Sequence, residues 1–130
     1  MEAKICLDTD FLVDLLQNKK YAVDFIVENE EKYVMSASII TMFELYCGAY
    51  KNMNEKQLLL IEELFARLDI LNLSKDIVNE AGKIYAFLRK SGKEIEMKDI
   101  LIGATAKINK CILKTKNIKH FERIGGLKII

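Results

Sequence analysis

Four acidic residues stand where acids are costly. Asp8 closes the apolar run Ile5-Cys6-Leu7 and is followed by Thr9-Asp10. Glu44 sits inside Ile39-Ile40-Thr41-Met42-Phe43-Glu44-Leu45-Tyr46-Cys47, and Asp99 opens onto Ile100-Leu101-Ile102-Gly103-Ala104. A carboxylate in apolar surroundings costs several kcal/mol unless something compensates it. No Lys or Arg stands regularly beside Asp8, Glu44 and Asp99, so a shared divalent cation is the simplest compensation. A cation held by carboxylates polarises a phosphate and lowers the pKa of a bound water, which is the chemistry of phosphodiester cleavage.

Each acid also has a plainer reading. Thr41, Glu44, Gly48 and Lys51 fall on one helical line, so Glu44 is either a ligand or part of a solvent stripe. A glycine in mid-helix costs about 0.5–1 kcal/mol relative to alanine, and Gly48 is expected to make room near Glu44. Gly103 stands in the same relation to Asp99, which otherwise favours a helix N-terminus by roughly 0.3–1 kcal/mol. Asp8 is the more telling acid, because a carboxylate directly after a buried strand lies at the usual ligand edge of an α/β sheet. Asp10 is read as a helix cap or as support for the site. Thr115 and Asn117 follow a later strand and should reach the same edge. An amide oxygen is an acceptable hard ligand for Mg²⁺, while Asn is also a common turn residue. His120, the single histidine, reads as a surface or hydrogen-bonded residue. The aromatics Tyr21, Phe25, Phe43, Tyr46, Phe65, Tyr85 and Phe87 follow helical spacing and read as core or interface.

The elements that must position these residues alternate along the chain. Strands are expected at Lys4–Asp8, Tyr33–Ser36, Ile70–Leu73, Cys111–Thr115 and Leu127–Ile130. Helical periodicity covers Thr9–Asn18 and Tyr21–Glu31. Ser38 caps a helix running to about Tyr50, Asn54 starts another, and Ser74 opens a long one that stops near Ser91-Gly92. Lys98–Asn109 is the last expected helix. Strand–helix alternation predicts an α/β fold with a parallel sheet covered on both faces, its ligand edge at the carboxyl ends of the strands.

At 130 residues one domain is expected. Hydrophobic residues make up 51% and charged residues 30%, ordinary for a globular protein. The longest apolar run falls far short of the ~18 residues of a membrane span, and no signal peptide is expected. Cys6, Cys47 and Cys111 read as small buried hydrophobes in a reducing cytoplasm, with no Cys-x-x-Cys to hold zinc. The net charge of +1 excludes a strongly polycationic nucleic-acid binder, yet the charge is uneven. Residues 1–97 hold 12 Lys/Arg against 17 Asp/Glu, and residues 98–130 hold 8 against 2. A basic end on an acidic body can hold a polyanion beside a metal site, or be no more than solvated lysines.

Four segments together resemble one family. Leu7-Asp8-Thr9-Asp10-Phe11-Leu12-Val13-Asp14-Leu15-Leu16 is similar to the opening motif of the PIN-domain ribonucleases, above all the VapC-like toxins. Ile40–Ala49 around Glu44 resembles their second motif, and Lys98–Ala106 their third. Leu113–Ile124 with Gly126-Leu127 resembles the C-terminal motif. The resemblance implies a three-layer α/β/α domain over residues 1–130 with a short, mainly parallel sheet. It implies Mg²⁺-dependent (or Mn²⁺-dependent) endoribonuclease activity, homodimers, and control by a cognate VapB-like antitoxin. Asp8, Glu44 and Asp99 match the family's metal-binding acids. Asn117 falls where many relatives carry a fourth acid and joins the catalytic group. Asp10 and Thr115 become supporting residues, and Lys114, Lys116, Lys119 and Arg123 become RNA-contact residues.

Two other classes fit parts of the chain. Asp8-Thr9-Asp10 also resembles the opening of haloacid-dehalogenase-like phosphatases, with Asp8 as nucleophile, although no later Lys and paired-acid motif follows. A receiver-like phosphoacceptor domain has similar length and a Thr-Lys pair like Thr115-Lys116. It requires an Asp after the central strand, and Asp69 precedes its strand.

Overall fold

In the computed structural model, which describes residues 2–130, the chain alternates between strand and helix as the periodicity predicts. The strands are β1 (Lys4–Leu7), β2 (Val34–Ser38), β3 (Asp69–Leu71), β4 (Ile112–Lys114) and β5 (Lys128–Ile129). The helices are α1 (Thr9–Leu16), α2 (Lys20–Asn29), α3 (Ile39–Lys51), α4 (Glu55–Ala66), α5 (Lys75–Lys90), α6 (Met97–Ile108) and α7 (Ile118–Phe121).

All strand pairs are parallel, in the order β3-β2-β1-β4-β5. From β1 the chain moves outward through β2 to β3, then returns past β1 to β4 and β5. The order therefore reverses between β1 and β4, and ligand crevices in such sheets open at this reversal beyond the carboxyl ends.

The period-2 alternation of β1 assigns its side chains to two cores. Ile5 and Leu7 join Met35, Ala37, Phe11, Leu12, Ala22, Leu45, Ile61 and Phe65 under α1–α4. Cys6 joins Leu113, Ile84, Leu88, Ile100 and Ile102 under α5 and α6. Helices thus cover both faces, the three-layer arrangement expected. In α5 the buried Ile77, Ala81, Ile84 and Leu88 recur at helical spacing and leave the opposite side to solvent. The three expected caps are present: Ser38 Oγ accepts from the Ile40 and Thr41 N–H groups at 3.0 and 3.2 Å, Asn54 Oδ1 from Gln57, and Ser74 Oγ from Ile77. Gly92, with φ +68°, follows the end of α5 in the left-handed region.

Several expectations differ in detail. The one-turn helix α7 was not expected, because four residues are too few to show a period; Phe121 alone anchors it in the core. β3 begins at Asp69 and ends at Leu71, shorter than the Ile70–Leu73 expected. Cys6 and Cys111 are buried, but Cys47 is exposed on α3. The two glycines do not make room for acids. A Cβ on Gly48 would meet nothing within 4 Å, whereas one on Gly103 would collide with Ile124 Cδ1. Gly103 therefore lets the segment after α7 pack against α6.

Candidate active site

Asp8 directly follows β1 and caps α1. Its backbone N–H donates to the Lys114 carbonyl at 2.9 Å, carrying the β1–β4 ladder one residue further. Its Oδ1 accepts from the Thr9 N–H at 2.8 Å and its Oδ2 from the Thr115 hydroxyl at 2.8 Å. The carboxylate is 4% exposed and no Lys or Arg touches it. Burial pushes its pKa up to about 6 against the pull of those two donors, and the charges of Asp10 and Asp99 raise it further. Asp8 is thus the α1 cap, a role considered for Asp10. Asp10 is exposed in the first turn of α1 and contributes only its charge.

Glu44 projects from α3 toward the same edge. Its Oε1 accepts from the Thr9 hydroxyl at 2.7 Å, and Thr9 Oγ1 lies 3.0 Å from Thr41 Oγ1. Its Oε2 is 3.0 Å from Lys98 Nζ. The solvent-stripe reading fails here, since Thr41 is buried and Glu44 is only partly exposed. Lys98 and Thr9 are site residues that motif spacing did not single out. Lys98 precedes Asp99 in sequence, and only the packing of α3 against α6 brings it to Glu44.

Asp99 lies in the first turn of α6 and is 9% exposed. Burial raises its pKa and the Glu96 charge adds to this; Lys98 and His120 pull it down, and Glu44 pushes it up again. His120 Nδ1 is 3.8 Å from Asp99 Oδ2 and 2.8 Å from the Asn117 side-chain nitrogen. Asn117 N–H donates to Thr115 Oγ1 at 2.9 Å, so the loop after β4 links Asp8 to Asn117 through one hydroxyl. Thr115 is 3% exposed, and its hydroxyl bridges the Asp8 carboxylate and the Asn117 N–H. His120, set aside on sequence, stands between Asn117 and Asp99.

The four basic residues proposed to meet RNA have different settings. Lys119 is exposed. Arg123 donates to the Glu94 carbonyl at 3.1 Å. Lys114 lies over the Phe25 ring, 4.7 Å from its centroid, and so faces α1 and α2 rather than the acids. Lys116 is bound to Asp14 at 2.8 Å.

The donors are all hard oxygens, the set that suits a divalent cation such as Mg²⁺. Among the described residues no three acid, histidine or cysteine side chains close on one point. Asp8 and Asp99 are buried with raised pKa values and no Lys or Arg in hydrogen-bonding contact, the condition a cation relieves. Glu44 is instead neutralised by Lys98 and would exchange that partner for the ion. The residues fit in kind, with Asp8, Asp99 and Glu44 to hold the ion and Thr115 to orient Asp8.

The receiver-like alternative loses its footing in the same geometry. Asp69, the nearest acid to a receiver's phosphoacceptor, begins β3 at the opposite edge and pairs with Lys4 at 2.7 Å.

Residues 5–127 match the family model described as the PIN domain. Ribonuclease VapC1 of Methanocaldococcus jannaschii is 36% identical, covering 98% of this chain and 88% of the relative. The tRNA(fMet)-specific endonuclease VapC of Shigella flexneri is 33% identical, covering 96% and 95%. The solved structure of DNA-bound VapBC from Salmonella typhimurium superposes with a TM-score of 0.90 at 28% identity, covering 98% of this chain and 97% of that one. The three-layer sheet, the acids at its reversal point and these relatives agree: the chain belongs to the PIN-domain family, among its VapC ribonucleases.

Proposed function

We propose that this protein is a Mg²⁺-dependent endoribonuclease toxin whose site is Asp8, Glu44 and Asp99, with Asn117 in the fourth position. Mn²⁺ is an acceptable substitute. The observation that carries the reading is Asp8: a carboxylate buried at the strand-order reversal, without a Lys or Arg partner and with its pKa raised to about 6. When bound, the ion polarises the scissile phosphate and lowers the pKa of a water. The chain's own residues do the rest. Thr115 and the Thr9 N–H fix the Asp8 carboxylate, Thr9 holds Glu44, and the Asn117–His120 pair flanks Asp99. Asp10 adds negative charge at the rim, and Lys119 and Arg123, which no acid side chain pairs among the described residues, are left as RNA-contact candidates. Residues 1–130 act as one domain.

Several relatives are solved as toxin–antitoxin complexes, and we extend that control to this chain in the cytoplasm. Among the described residues no helix is long and apolar enough to cross a membrane. A groove lined by none of the three acids runs along α1, α2 and α4. It has a volume of about 1110 Å³, is walled by Leu15, Leu16, Val23, Ile26, Leu64 and Leu68, and is edged by Glu30, Glu31 and Glu63. It offers an antitoxin segment an apolar bed with an acidic rim. Exposed Phe43 and Tyr50 on α3 and Phe87 on α5 support the homodimer.

The test is cleavage of total RNA by the purified chain. Activity should require Mg²⁺, stop with EDTA, and fall at least about 100-fold in Asp8→Asn and Asp99→Asn while their circular dichroism is unchanged. Full activity in both variants would sink the assignment.

A further inference from the structure

Asp14 is another buried carboxylate on α1, 4% exposed, and the cleavage chemistry makes no use of it. Lys116 Nζ donates to its Oδ2 at 2.8 Å, Lys19 Nζ is 3.0 Å from its Oδ1, and the Tyr21 hydroxyl also donates to Oδ2. The Lys19 backbone N–H closes on the Asp14 carbonyl at 3.0 Å and fixes the turn that carries this lysine. One carboxylate therefore gathers two ammonium groups from loops that are distant in sequence. Among the described residues no other acid holds two lysines: Asp24 and Glu80 have one each, and Lys98 is itself shared between Glu44 and Glu96. At Asp14 itself the second lysine is surplus; the nearest further charge is Asp10, which is felt at Lys116 but pairs with neither lysine. Both lysines remain about half exposed, at 50% and 49%, and an ammonium has three N–H donors, so each retains donors for an anion from solvent.

The position of the cluster matters as much as its charge. Asp14 lies six residues after Asp8, about 9 Å along the helix axis. Lys116 directly follows Thr115, whose hydroxyl donates to Asp8. The lysine pair is thus built on the helix and the loop that hold the site's central acid. We infer that Lys19 and Lys116, set side by side by Asp14, bind a backbone phosphate of the RNA next to the scissile one, with Asp14 as a positioning residue. This rests on the nuclease reading and adds to it a defined substrate contact.

The test uses the full chain carrying Asp99→Asn, so that RNA survives, and a fluorescein-labelled single-stranded RNA of mixed sequence. Affinity is read by anisotropy across a KCl series with Mg²⁺ present. Adding Lys19→Gln or Lys116→Gln should weaken binding several-fold and flatten the log–log salt dependence by about 0.7 for each lost contact. Asp14→Asn discriminates by sign. If Asp14 only repels RNA, removing its charge tightens binding; if it positions the lysines, binding weakens although positive charge is gained. Thermal melts confirm that Asp14→Asn is folded, and the surface lysine variants carry the test if it is not. Unchanged affinity and slope in both lysine variants, tighter binding by Asp14→Asn, or no RNA binding by the parent overturns the inference. So does loss of antitoxin binding in the lysine variants with RNA binding intact. If Asp99→Asn abolishes cleavage while the lysine variants bind RNA normally, only the lysine pair fails and the nuclease reading stands.

Discussion

At the residue scale, the site is defined by how differently its acids are compensated. Glu44 has a lysine, Asp14 has two, and Asp8 has only hydrogen-bond donors. The consequence for Asp8 is a pH dependence of stability. Burial lifts its pKa from 3.8 to about 6, so the folded protein binds this proton more tightly than the unfolded chain. Its contribution is full below about pH 4 and is lost as pH rises through about 6. The difference corresponds to about 3 kcal/mol. In metal-free buffer, urea midpoints of the wild type should fall between pH 4 and pH 6 more steeply than those of Asp8→Asn. The variant should be the more stable of the two at pH 7, although cleavage should be lost. Parallel curves for the two proteins would mean that Asp8 is not desolvated.

At the element scale, two glycines on adjacent helices should respond in opposite directions to the same substitution. A methyl group at Gly48 on α3 enters open space, and replacing a mid-helix glycine should stabilise by about 0.5–1 kcal/mol. A methyl group at Gly103 on α6 meets Ile124 Cδ1, and overpacking of that kind costs typically about 1–3 kcal/mol. Chemical denaturation of Gly48→Ala and Gly103→Ala reads both signs directly. Adding Ile124→Val to Gly103→Ala should recover part of the loss. Recovery would tie the cost to the contact between α6 and the segment after α7, the helix that carries His120 toward Asp99.

At the scale of the whole molecule, the acids come from three parts of the chain that are far apart in sequence and reach one edge only when the sheet is formed. A cation that they share should therefore stabilise the fold as a unit. At a hundredfold excess over its Kd, one bound ion adds about 2.7 kcal/mol, a rise in Tm of roughly 10 °C for a chain of this size. The rise should appear with Mg²⁺ or Mn²⁺, reverse with EDTA, and be lost in Asp8→Asn and Asp99→Asn. An undiminished rise in both variants would place the ion elsewhere.

Much of this was legible in the sequence, because it depends on local patterns. Period-2 and period-3.6 spacing marked every element but α7, the Ser38, Asn54 and Ser74 caps were visible as residue types, and an acid directly after a buried strand marked the ligand edge. Tertiary structure alone decided who compensates whom. Lys98 reaching Glu44, Thr9 joining Asp8 to Glu44, and Lys19 with Lys116 converging on Asp14 are contacts between residues up to 102 positions apart. No spacing rule encodes them, since they depend on the direction in which each side chain leaves its packed helix or strand. Ile124 likewise explains Gly103 only after α7 has folded back on α6. The residue types that can bind a metal are a property of the chain; which of them stay free to do so is a property of the fold.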